Sequence, residues 1–252
     1  MPLEGRVALV TGGGRGIGRA ISLALAEDGA DVAVNYRRDL EAAEETVAAI
    51  ESMGRRARAF CASIDDFEAD ASMVSAISAE LGDVDLLVNN AGIASRGNTV
   101  EDTDPAELER VMRVHALAPH CLARLTIPAM KQKKRGDIIM ISSAATIGFG
   151  ARGGPYNMGK AAMEALAWTL AKELRDNGVR VNVVAPGLVE TEMGRRLMRA
   201  RSGVEDLREL DASMPFGRVC QPEDVANVVR FLVSDGGSYV SGQRVYVHGG
   251  VH

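Results

Sequence analysis

Seven short apolar runs recur along the chain, each separated from the next by a longer segment with helical periodicity, and this alternation limits the fold more than any other feature. The runs are RVALVTG, DVAVNY, RARAFCA, VDLLVNN, DIIMISS, VRVNVVAP and RVYVHGG. Their near-continuous apolar character suits strands buried on both faces, as in a parallel sheet covered by crossover helices. The intervening segments, such as LEAAEETVAAIESMG and KAAMEALAWTLAKELRDNG, space apolar residues three and four apart, and several end in glycine as a C-terminal cap would. Strict alternation with short joints predicts the α/β class: one domain over residues 1–252, built as a doubly wound parallel sheet with helices on both faces. Residues 188–215 break the rhythm with charged helical sequence, and long excursions at strand ends often act as lids.

Composition removes several classes of function. A chain of 252 residues, 46% hydrophobic and 25% charged, has ample length for a large core. Its formal net charge of -5 leaves no basic footprint for nucleic acid or an anionic membrane. The three cysteines, Cys61, Cys121 and Cys220, are widely spaced and outside any CxxC pair, so neither a disulfide framework nor a metal site is expected. The apolar run in MPLEGRVALVTGGG is too short for a signal peptide, and no segment approaches the roughly 20 apolar residues of a membrane span. A soluble cytoplasmic protein is the expectation.

TGGGRGIG follows the first run and opens the first helix, where backbone N–H groups and a helix N-terminus would meet a dinucleotide pyrophosphate. The spacing is TGxxxGxG and not GxGxxG. Gly12 suits the tight turn, Gly16 a close approach to phosphate, and Gly18 close helix packing, with Gly13, Gly14, Arg15 and Ile17 between them. The second run ends in Tyr36, Arg37 and Arg38, where an NAD site would usually place an acid on the ribose. Guanidinium groups match a 2′-phosphate, and Arg15 could close on it from the other side, which favours NADP(H) over NAD(H). A solvated basic turn is the plainer alternative.

GPYNMGKAAMEALAWTLAKEL places Tyr156 and Lys160 four residues apart on one helical face. An ammonium beside a phenol stabilises the phenolate and should lower the tyrosine pKa, making its O–H usable as an acid or base. Ser143, at the end of DIIMISS, would lie at the mouth of the sheet, within reach of a substrate oxygen.

In order along the chain, TGGGRGIG at 11–18, NNAG at 89–92, SS at 142–143, YNMGK at 156–160, PG at 186–187 with Thr191, and SGQ at 241–243 resemble the short-chain dehydrogenase/reductase family over essentially the whole length. Within it the sequence is most similar in type to 3-oxoacyl-[acyl-carrier-protein] reductases, with sugar, polyol and other secondary-alcohol dehydrogenases as the alternative. The resemblance implies a Rossmann fold and a nicotinamide cofactor. It implies that Ser143 orients a carbonyl, Tyr156 gives up its proton, and Lys160 holds the nicotinamide ribose. Asn90, Ala91 and Gly92 would pack beside the adenosine and ribose, and Ser63 and Ile64 stand where adenine is contacted, Ser63 in place of the usual Asp or Asn. Pro186, Gly187, Val189 and Thr191 resemble the stretch that binds the carboxamide. The intact Ser, Tyr and Lys weigh against a non-catalytic NADP(H)-binding sensor, although fold alone does not establish function.

Position 115 departs from this pattern. The family usually carries an asparagine there, which bends the helix and whose backbone carbonyl holds a water linked to the lysine. His115 could preserve that relay, shuttle protons itself near neutral pH, or simply pack. His120 is five residues on, roughly 140° around the helix, so the two share no metal face. RRLMRARS, near Arg195, reads either as a surface for an acidic acyl carrier protein or as a solvated lid helix. The family's habit of forming homotetramers through helices near 104–131 and 154–176 and the last strand extends to this chain by resemblance. His248 and His252 are expected to serve packing.

Overall fold

The computed structural model describes residues 2–133 and 135–250; His252 lies outside them. Among the described residues all seven apolar runs form strands, joined by α-helices in the order β1 (Val7–Val10), α1 (Gly16–Glu27), β2 (Asp31–Tyr36), α2 (Leu40–Ser52), β3 (Ala57–Cys61), α3 (Phe67–Glu80), β4 (Leu86–Asn89), α4 (Pro105–Met112), α5 (Ala118–Met130), β5 (Gly136–Ile141), α6 (Ala145–Gly148), α7 (Gly154–Leu174), β6 (Val179–Pro186), α8 (Glu192–Ser202), α9 (Pro222–Val233) and β7 (Arg244–Val247). The sheet order is β3-β2-β1-β4-β5-β6-β7 and every pairing is parallel, so the predicted doubly wound sheet is present. The order reverses between β1 and β4, where a doubly wound sheet opens a crevice at its carboxy edge.

Alternation within the strands feeds two cores. Leu9, Leu87, Ile138 and Met140 join residues of α3, α5 and α7 on one face. Ala8, Val10, Leu86, Val88, Ile139 and Ile141 join α1, α2 and α9 on the other. Both faces are covered, which is why the strands read as unbroken apolar runs.

The helix expected near 104–131 is broken. A π-helical turn, Arg113–Leu117, separates α4 from α5, with the Ala118 N–H donating to the Arg113 carbonyl. His115 is at its centre. Such insertions shift the following helix face by part of a turn and recur at functional sites. Residues 188–215 hold α8 and a 3-10 stretch, Leu207–Ser213.

Candidate active site

The glycine turn is fixed by polar residues at neighbouring strand ends. Asn35, at the end of β2, accepts from the Gly12 N–H at 3.2 Å and donates to the Ala62 carbonyl at 3.0 Å. Thr11 Oγ1 accepts from the Asn90 and Ala91 N–H groups, each at 2.9 Å, and Asn90 Nδ2 donates to the Thr11 carbonyl at 2.8 Å. Gly12 has φ +62° and Gly16 φ +53°, the left-handed region that glycine enters without strain. A Cβ on Gly18 would stand 2.1 Å from the Gly12 carbonyl oxygen, so helix and turn touch only because that position is bare. Asp39, Asp66, Asp104 and Thr191 cap α2, α3, α4 and α8, whereas α1, preceded by Arg15, has no side-chain cap, as is also true of α5, α6 and α7. The first N–H groups of α1 are therefore available to an anion, and the turn fits a dinucleotide phosphate.

Ser143 follows β5, and Tyr156 and Lys160 occupy the first turns of α7. The three meet. The Ser143 hydroxyl neighbours the Tyr156 phenol and favours its ionised form, and Lys160 Nζ is 5.7 Å from the Tyr156 ring centroid. The Tyr156 pKa is nevertheless raised and not lowered: burial disfavours the phenolate more than Ser143 favours it. Lys160, 4% exposed, donates to the Ile141 carbonyl at 2.7 Å, and burial lowers its pKa to about 7 against the opposing pull of Glu164. The expected tyrosine-lysine effect is thus weakened at its source, because the ammonium is itself costly to keep charged there.

His115 is wholly buried with its ring edge-on to Tyr156, centroids 5.3 Å apart. Nε2 lies 2.8 Å from the Ile93 carbonyl oxygen and 3.2 Å from the Ile93 nitrogen. A Cβ on Gly92 would come within 2.7 Å of His115 Cε1, and one on Gly159 within 2.8 Å of His115 Cβ. The ring therefore fills a slot between two glycines. Burial, with Lys160 nearby, lowers its pKa to about 3, which favours packing over a proton shuttle among the readings open to it.

Comparison with known proteins places the chain in a family. A family model described as enoyl-(acyl carrier protein) reductase matches residues 12–252. Versicolorin reductase 1 of Aspergillus parasiticus is 39% identical, covering 98% of this chain and 97% of its own. The 3-oxoacyl-[acyl-carrier-protein] reductase of Escherichia coli is 36% identical over 100% of this chain and 99% of its own. The chain belongs to the short-chain dehydrogenase/reductase family. It is an NAD(P)-dependent oxidoreductase acting on the alcohol–carbonyl couple. Among solved members of the family, a short-chain dehydrogenase from Burkholderia cenocepacia in complex with NADP is 34% identical with a TM-score of 0.89, covering 99% of each chain.

Other expected residues of this family member fall around the same crevice. Arg37 and Arg38 are exposed just beyond β2. Arg15 pairs with Glu192 at 3.1 Å and approaches Asp39 at 3.8 Å, so it faces the start of α8 as well as the end of β2. Ser63 donates to Asp65, and Ile64 is buried. Pro186 ends β6; Gly187 abuts His248, where a Cβ would be 3.0 Å from its Cβ. Val189 is buried and bridges Cys220, while Thr191 lies against Gly16. Among the described residues no group of three His, Cys, Asp or Glu is placed to hold a metal, and no helix is long and apolar enough to cross a membrane.

Sequence reasoning missed four contributors: Thr11, Asn35, Glu164 and Arg244. The first two are polar residues at strand ends, ordinarily read as turn residues. Glu164 continues the Tyr156–Lys160 spacing by one more turn, which was its available signal.

Proposed function

We propose that the protein is an NADP(H)-dependent ketone reductase, in type a 3-oxoacyl thioester reductase, with Ser143, Tyr156 and Lys160 as its catalytic set. The observation that carries the reading is the convergence of these three side chains at the carboxy end of β5 and the first turns of α7, with Lys160 buried and Tyr156 partly open to the crevice. NADP(H), when bound, supplies the hydride. The protein supplies orientation and a proton. Ser143 Oγ holds the carbonyl oxygen, and Tyr156 transfers its phenolic proton to that oxygen as negative charge develops there. Lys160 holds the ribose and, when protonated, eases departure of that proton.

Gly12, Gly13, Gly14, Arg15, Gly16, Ile17 and Gly18 form the proposed pyrophosphate turn. Arg37 and Arg38 would take the 2′-phosphate, and Ser63, Ile64, Asn90, Ala91 and Gly92 the adenosine side. Tyr156, Lys160, Pro186, Gly187, Val189 and Thr191 would surround the nicotinamide end. His115 we assign to packing and positioning. Residues 188–215 would form a substrate lid. Within it, Arg195, Arg196 and Arg199 already face Glu190, Glu192 and Glu205, so α8 offers an acidic carrier protein little unmatched charge. A small ketone or thioester suits it better. Assembly as a homotetramer is supported by exposed Leu117, Met158 and Trp168 on the two long helical segments and by the free edge of β7.

NADPH absorbance with a short 3-oxoacyl thioester, then a panel of cyclic, aromatic and sugar ketones, run again with NADH, tests substrate and cofactor together. Tyr156→Phe is expected to cut turnover by about 100-fold or more while leaving NADPH binding near its original value. Arg37→Asp should shift preference toward NADH. Full activity in Tyr156→Phe, or a native preference for NADH, would overturn the corresponding assignment.

A further inference from the structure

Helix α7 carries a third titratable residue in line with the catalytic pair. Glu164 is four residues beyond Lys160, and it is 2% exposed. Its carboxylate accepts from Ser142 Oγ at 2.5 Å, from Thr146 Oγ1 at 2.8 Å and from an Arg244 guanidinium nitrogen at 2.6 Å, joining α7 to β5, α6 and β7. The adjacent serines at 142 and 143 thus face different ways: Ser143 toward Tyr156, Ser142 toward this carboxylate. Arg244 is seated against Tyr246 and Trp168, 4.8 and 5.7 Å from their ring centroids, and reaches the surface.

An anchor for β7 needs no carboxylate in this place, since Asn or Gln would also bond the hydroxyls. What a carboxylate adds is charge beside Lys160, whose ammonium is almost out of contact with water. The groups facing that ammonium are Tyr156 from its own helix, neutral His115 from the π-helical turn, and the Ile141 carbonyl from β5. Glu164 is the charged neighbour that favours its protonated form.

We infer that Glu164 is a positioning residue for the reaction: its charge keeps Lys160 in the ammonium form, and Arg244 moderates that effect by drawing part of the charge toward the surface. The inference rests on the assignment of Tyr156 and Lys160 above. Glu164→Gln keeps an oxygen for Ser142 and Thr146 but removes the anion, so Lys160 should lose its proton at lower pH, by about one unit or more. Arg244→Gln keeps the anion and removes its competitor, so Lys160 should lose its proton at higher pH. Opposite displacements are what a purely structural role would not produce.

The chain has five lysines, which makes a direct reading practical. In protein labelled with carbon-13 at lysine, the Cε resonance lost in Lys160→Arg identifies Lys160, and its pH titration is followed in the native chain, Glu164→Gln and Arg244→Gln. The pH dependence of NADPH-driven reduction of the best ketone in the panel is measured beside it. The expected result is a downward shift in Glu164→Gln and an upward shift in Arg244→Gln, with the alkaline loss of reduction following each. Unmoved titrations, or displacement of both variants in one direction, overturn the inference. Should Glu164→Gln not fold, Arg244→Gln decides alone: an upward shift supports the inference, and an unmoved or lowered titration ends it. Activity persisting in Tyr156→Phe would remove the parent reading, whereas inactive Tyr156→Phe with unmoved Lys160 titrations removes only this one.

Discussion

His115 shows how burial decides the role of a titratable residue. An imidazole in water titrates in the physiological range, but this one is enclosed by Gly92, Gly159 and Tyr156 and stays neutral down to about pH 3. Its folded pKa lies below its unfolded value of about 6.5, so the unfolded chain binds more protons between the two. Its contribution to stability is therefore present above about pH 6.5 and is lost as pH falls toward 3. Urea unfolding of the native chain and His115→Asn at pH 6.5 and 5.5 should show the native chain losing about 1 kcal/mol more over that unit. The variant should keep most of its turnover with the same pH profile. A profile that moves, or inactivation, would give His115 a part in proton transfer.

At the level of elements, the inner strands are the most legible in the sequence, because burial on both faces writes a continuous apolar run into them, whereas the edge strands β3 and β7 are only partly buried. The large helices are legible in their spacing, as is the placement of Tyr156 and Lys160 on one of them. The π-helical turn is not, since one extra residue in a turn leaves the apolar periodicity around 105–130 nearly intact. The role of Glu164 is not legible in the sequence because an acid on a helix ordinarily faces water, and only the docking of β7 and α6 turns it inward. Helix α3 offers a similar surprise. Asp70 is fully buried, neither of its carboxyl oxygens has a hydrogen-bond partner, and burial with Asp66 and Asp65 pushes its pKa up to about 7. A carboxyl whose folded pKa is raised contributes stability in full below about pH 3.8 and loses it as pH rises through 7. Asp70→Val should accordingly stabilise the protein by about 1–3 kcal/mol at pH 8 and by less at pH 5, as read from paired denaturation curves.

Over the whole molecule the parallel sheet separates chemistry from cohesion. Every proposed reacting group lies at the carboxy ends of the strands. At the amino ends a buried ionic cluster ties distant segments: Arg6 bridges Asp85 at 2.8 Å and Asp137 at 2.7 Å, while Arg180 and Arg135 reach Asp137 at 2.6 and 3.3 Å. Asp137→Ala leaves three guanidinium groups without their shared anion and should cost about 3–5 kcal/mol in urea unfolding, with cofactor affinity unchanged in the folded fraction. A smaller loss would mean that Asp85 and Asp235 already satisfy those cations. The bond between Arg244 and Glu164 has a further consequence, which concerns the order of synthesis. The carboxylate is made eighty residues before its guanidinium partner. Until β7 emerges from the ribosome and docks beside β6, the catalytic helix carries that anion with Lys160 but without its arginine, so its final electrostatic setting belongs to the finished chain alone.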